Sequence, residues 1–259
     1  MADYLSQAKA YIRKRTEAEI SFQNNLEKLY DDYASKLIDI AYSANVPPTY
    51  FTFAYNKTIQ KRVDSLISNL LSNVIDYSET LAIATHTKNK DKIMTYLSRD
   101  IAGDTFYGRA KSHTDTFKKE MEGIIAAGLL IGASKTNIKQ SVRTYRKMPY
   151  QNPIFKEAVK LGEGKAKALI DKGLHFGVGV SNSAFTSLNM LGRFTIGDAW
   201  MYDWYDGWNT IGAIGFNVIN QAAACSECTD MAGFHTDGNL PIYHVNCRCI
   251  AVPVFENEL

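Results

Sequence analysis

All four cysteines of the chain fall between residues 225 and 249, and their spacing pairs them off. Cys225 and Cys228 form a C-x2-C, and Cys247 and Cys249 follow in the run His244-Val245-Asn246-Cys247-Arg248-Cys249. Gly233, Gly238 and Pro241 lie between the pairs, as in a chain that doubles back on itself. Two soft-ligand clusters joined by a turn-rich loop are what a tetrahedral metal site requires. The C-x2-C knuckle lets two thiolates converge and offers backbone amides to their sulfurs. The second half can be filled in two ways. His244 with Cys247 repeats the spacing of the knuckle, whereas Cys247 with Cys249 puts two sulfurs on one face of an extended segment. Cys225, Cys228, His244, Cys247 and Cys249 therefore compete for the metal, and His235 is a weaker candidate. A closed set of this kind favours a structural zinc over disulfides, packing cysteines or a catalytic ion, because no carboxylate stands where a general base would be needed.

With 259 residues, 46% of them hydrophobic, the chain is long enough to bury a sizeable core. Its N-terminal stretch is charged and amphipathic, without a secretory pattern, and no apolar run reaches the length of a bilayer span. The expectation is a soluble protein of a reducing cytoplasm. A net charge of +2 hides an uneven distribution, with an excess of Lys and Arg over Asp and Glu between Lys88 and Lys172. Lys135, Lys139, Arg143, Arg146 and Lys147 form the richest part of it. Such a stretch suits phosphates or an acidic partner, although Lys-rich helix faces are more often merely solvated.

Periodicity makes the first half helical. Phe22, Leu26, Leu29, Tyr30, Tyr33, Leu37 and Ile40 recur at intervals of three and four, until Asn45-Val46-Pro47-Pro48 stops the helix. Val63, Leu66, Ile67, Leu70, Leu71, Val74 and Ile75 form a second stripe. Met94, Leu97 and Ile101 belong to a third helix after the break at Lys88–Asp91. Helices are expected again over 117–129 and 135–147, the latter capped by Ser134 or Thr136, then over 153–173 and 183–208. The aromatic residues of the last one suggest burial against the cysteine-bearing end. Only the final fifty or so residues read as strand. The expected fold is mostly α, with long amphipathic helices followed by a small C-terminal α+β zinc-binding module. It divides into an N-terminal helical region over 1–115, a basic helical middle over 116–208 and the module over 209–259.

Cys225-x2-Cys228, Met231-Ala232-Gly233, Leu240-Pro241 and His244-x-Asn246-Cys247-Arg248-Cys249 together resemble the C-terminal signature of the phage Mu F-like minor head protein family. Ile214–Ile219 and Ile250–Val254 match its flanking strands. Gly132-Ala133-Ser134-x3-Ile138 echoes a helical segment upstream. Val245 stands where the family usually has proline, and Ala223-Ala224 where it often has an acidic residue. The resemblance implies a head-morphogenesis protein of the virion, assembled in the host cytoplasm, present in several copies and associated with the portal vertex. It also implies portal and capsid proteins as partners and a role in DNA packaging or ejection. Double-stranded DNA would then be met through Lys135, Lys139, Arg143, Arg146 and Lys147, and no membrane is involved.

Enzymatic motifs fail on inspection. Gly162-Glu163-Gly164-Lys165 lacks the first glycine and the hydroxyl residue of a phosphate-binding loop, and Gly177-x-Gly179 lacks the third glycine of a dinucleotide site. His86, His113 and His175 stand near no nucleophile, and Asp198, Asp203 and Asp206 read as the solvent face of a helix. The expectation is a protein that is not an enzyme. The alternatives are a zinc-stabilised nucleic-acid-binding module, or an HNH-like nuclease using His235 with Asp230 or Asp237.

Overall fold

The computed structural model describes residues 2–84, 90–100, 103–161, 183–221, 224–236 and 247–258. Within them run α1 (Ala2–Ser43), α2 (Lys57–Ile83), α3 (Lys90–Leu97), α4 (Phe106–Leu130), α5 (Lys135–Tyr145), α6 (Pro153–Lys160) and α7 (Ala184–Thr210). A small sheet follows, made of β1 (Gly215–Ile219), β2 (Gly233–Thr236) and β3 (Ile250–Val254), with the short helix α8 (Ser226–Asp230) between β1 and β2. The fold is thus mostly α, closed by a small C-terminal α+β module that carries a cysteine cluster.

The helices form where the apolar spacing demands them. Ala8, Ile12, Phe22, Leu26, Tyr30, Tyr33, Leu37 and Ala41 are buried along α1, and Ile59, Val63, Ile67, Leu70 and Val74 along α2. Asn45 leaves α1 in the left-handed region at φ 48°, ahead of Pro47 and Pro48. The segment Gly132–Ile138 proves to be a helix corner. Gly132, at φ 69°, ends α4 by donating to Leu129, while Ala133 donates to Gly128 at 2.9 Å. Ser134 then caps α5, accepting from the Asn137 amide at 3.2 Å. α6 ends at Lys160 with Leu161 as its cap, and the rest of the helix expected over 153–173 lies outside the described residues. The glycine motifs at 162–165 and 177–179, and His86 and His175, lie outside the described residues.

The chain groups into two compact units interleaved along the sequence. The first comprises Met1–Gln23, Tyr77–Phe106 and Gly192–Leu259, and so contains the whole of the expected 209–259 module. Its sheet has the order β2-β1-β3, antiparallel throughout, with Val218 opposite Ala251 and Phe216 opposite His235. Phe216 and Val218 turn inward while Asn217 and Ile219 are exposed, the alternation of a half-buried sheet. Phe216, Ile250, Ala251 and Val252 form a core with Ala8, Ile12, Met201 and Tyr205, against which Trp204 and Trp208 pack. The aromatic face of α7 is therefore buried against the cysteine-bearing module. Asp198, read from sequence as solvent-facing, is instead largely buried and paired with Arg99 at 2.6 Å.

The second unit comprises Asn24–Asp76 and Tyr107–Leu191. Tyr30 meets Phe117 and Phe185 edge-on, at ring-centroid distances of 4.7 and 5.5 Å. Beside them the wholly buried Glu120 accepts from the Ala184 amide at 2.6 Å and from the Tyr30 hydroxyl at 3.2 Å. Burial pushes the Glu120 carboxyl up to about 8. Among the described residues, no helix is long and apolar enough to cross a membrane.

Candidate metal centre

The first thiol pair is set by a short helix. Cys225 is the N-cap of α8, and its Sγ accepts from the Cys228 amide at 3.4 Å, the amide-to-sulfur contact that a C-x2-C knuckle offers. This turns the Cys228 side chain inward, while Cys225 stays exposed. Cys247 and Cys249 lie just before β3, which pairs with β1 and holds both beside Val218. Cys228, Cys247 and Cys249 are all buried, and their sulfurs lie within 4.8 Å of one another. None of the four cysteines is in a disulfide.

The distances suit coordination. Cys228 Sγ and Cys247 Sγ are 3.7 Å apart. A metal–sulfur bond of about 2.3 Å places the sulfurs of a regular tetrahedron about 3.8 Å from one another. Burial pushes the Cys247 thiol well above its ordinary range, and the neighbouring Cys249 charge adds to the rise. Three thiolates cannot share so dry a patch without a cation to balance them, so a metal ion and this thiol set fit each other. Comparison of the chain with protein families, curated proteins and solved structures finds no match. The buried Cys228, Cys247 and Cys249 could hold a metal ion, and this rests on their geometry alone.

The polar surroundings explain how the Cys247–Cys249 segment is held. Arg248 folds back to donate to the Cys247 carbonyl at 3.0 Å and to Glu19 at 3.1 Å. Arg15 donates to the same Cys247 carbonyl and pairs with Glu19 at 3.4 Å, and Arg193 reaches Glu19 at 3.5 Å. Glu19 and Arg15 are buried to 4% and 3% side-chain exposure. Three guanidinium groups thus meet on one carboxylate beside the thiol cluster. α7 can approach because Gly197 faces Glu19: a Cβ there would stand 3.1 Å from its Oε1. Cys249 Sγ donates in turn to Asn220 Oδ1 at 3.5 Å.

Of the five sequence candidates, three converge. Cys225 stands next to them through the knuckle but outside the set within 4.8 Å, and His244 lies outside the described residues. His235 is not in the cluster; its Nε2 is 2.8 Å from the Met231 carbonyl. Asp230 is exposed, and Asp237 lies outside the described residues. Sequence reasoning missed Arg15 and Glu19. Their signal was present: a pair of opposite charges at i and i+4, on the stripe that Ala8, Ile12 and Phe22 define as buried.

In the second unit most of the basic run is already partnered. Lys135 and Lys139 share Asp39, at 2.6 and 2.9 Å, Arg143 pairs with Asp31 at 2.9 Å and Arg146 with Glu27 at 2.7 Å. Lys147 is exposed.

Proposed function

We propose that this chain is a structural, non-catalytic component of a bacteriophage head, associated with the portal vertex, whose C-terminal module is closed by a zinc ion. The carrying observation is the convergence of Cys228 with Cys247 and Cys249, which unites the two halves of the segment that resembles the minor head protein signature. A buried thiol set of this spacing supports zinc among the common divalent ions, since soft thiolates suit it better than the oxygen-seeking cations. Cys228, Cys247 and Cys249 would hold it, with Cys225 or His244 as the fourth ligand. When bound, the ion would cross-link the α8 knuckle to the segment entering β3. Structural zinc supplies folding free energy of about 10 kcal/mol or more in small modules, which a three-stranded sheet of such short strands needs.

On this reading the portal and capsid proteins are the partners, several chains enter each particle in the host cytoplasm, and packaged DNA is a further contact. Native mass spectrometry should find one zinc per chain, released by a chelator; a metal-free chain would overturn the zinc assignment. Quantitative mass spectrometry of particles made by the encoding genome should find this chain together with the portal protein. Mature particles that lack it would overturn the head assignment.

A further inference from the structure

A basic surface other than the one prominent in the sequence is the better placed to meet an anion. In the second unit, α1, α2 and the first residue of α5 line an open groove of about 820 Å³. Lys36, Lys61, Arg62 and Lys135 line it with a single carboxylate, Asp39, so four positive charges face one negative charge. Lys135 is tied to Asp39, and Lys36 to Asp32 at 2.7 Å. Lys61 and Arg62 are different: both are exposed, and neither has an ion-pair partner among the described residues. The nearby Asp64 is held by Lys118 at 2.6 Å, which leaves these two cations uncompensated.

Ser65 adds a hydroxyl to the lining, while the Ser43 hydroxyl donates to the Ile40 carbonyl at 2.9 Å, and no aromatic ring is among the lining residues. The groove therefore offers charge and hydrogen-bond donors without a surface on which a base could stack, the chemistry of phosphate recognition rather than sequence readout. We infer that this groove contacts the sugar–phosphate backbone of duplex DNA without regard to sequence, with Lys61 and Arg62 as its free cations. This locates the nucleic-acid contact of the preceding reading. It can nonetheless fail alone, because it is tested on the isolated chain rather than on particles.

The experiment is fluorescence anisotropy of labelled duplexes of two unrelated sequences, titrated with the full chain over a range of salt. The wild type should bind both equally. The Lys61→Gln/Arg62→Gln variant should lose affinity about tenfold and flatten the slope of log K against log salt by about 2, one counterion contact per residue. Arg143→Gln, which removes a cation already paired with Asp31, should change affinity less than about twofold. Lys61 and Arg62 are exposed, so the melting curve of the double variant should match the wild type and separate lost binding from lost folding. Undiminished binding by the double variant, or absence of DNA binding by the wild type, would overturn the inference. Equal affinity for polyglutamate would overturn it too, by making an acidic protein the occupant.

Discussion

Replacing Glu19 by Gln removes the one carboxylate among three guanidinium groups. Arg15, with 3% side-chain exposure, then loses this carboxylate and keeps its bond to the Cys247 carbonyl. Breaking a buried pair in this way costs about 3–5 kcal/mol, because the surviving charge keeps its desolvation penalty and loses the attraction that offset it. Arg193 and Arg248, at 14% and 27% exposure, reach water more readily and add less. For a chain of this size that energy corresponds to a fall in Tm on the order of 10 °C, read by scanning calorimetry of the zinc-loaded protein. α1 supplies its own control in Arg13–Glu17, which has the same i,i+4 spacing but 83% and 62% exposure. Glu17→Gln should cost less than about 0.5 kcal/mol. Because Arg248 lies between two of the clustered thiols, Glu19→Gln should also speed zinc loss to a chromogenic chelator. A Tm within about a degree of the wild type, with zinc release unchanged, would refute a role for the buried network in holding the cysteine segment.

Cys228→Ser should abolish stoichiometric zinc binding and disorder the sheet while leaving most of the far-ultraviolet helical signal. Collapse of that signal would show that the module is not a separable part of the structure. Cys225→Ser keeps an N-cap for α8, since serine accepts from the same amide, so any loss of metal affinity on zinc titration would make Cys225 a ligand rather than a cap. Glu120 holds a proton in the folded chain that it would lose near pH 4.5 when unfolded. Its contribution to stability is therefore complete below that pH and declines as the pH rises to about 8, by on the order of 4 kcal/mol. Urea unfolding of Glu120→Gln at pH 5 and pH 8.5 should show this decline removed; an unaltered pH dependence would contradict it. Gly192→Ala puts a Cβ within 2.1 Å of the Phe22 ring and should cost about 1–3 kcal/mol by the same assay. A neutral result there would mean that Phe22 has room to turn aside.

What was legible in the sequence was local. The stripes of α1 and α2 announce themselves because spacings of three and four put their apolar residues on one face, and Pro47 and Pro48 cannot continue a helix. The cysteines were legible because their side-chain chemistry admits few uses. Partnerships across long separations left no such trace. Asp31 and Asp39 on α1 neutralise Arg143 and Lys139, 112 and 100 positions later, so a basic run in one dimension is largely compensated in three. Lys61 and Arg62 drew no notice, since two adjacent cations on a helix are ordinary until the described residues around them prove to hold no ion-pair partner for either. Asp198 looked like a solvent-facing acid and Glu120 drew no notice, because burial of a single carboxylate is decided by the neighbours that helix packing brings and not by its own segment.

Arg15 and Arg248 both close on the Cys247 carbonyl, one from the start of the chain and one from its far end. A ribosome therefore makes α1 with its charged pair in water and must add more than two hundred further residues before that pair can be enclosed. Contacts of such separation form late and slowly, because the loop must be closed before they reward it. Until then the apolar stripe around Arg15 and Glu19 is open to other chains. The i,i+4 pairing of Arg15 with Glu19 puts two opposite charges on that stripe from the start, and the same two residues later hold the segment that enters β3.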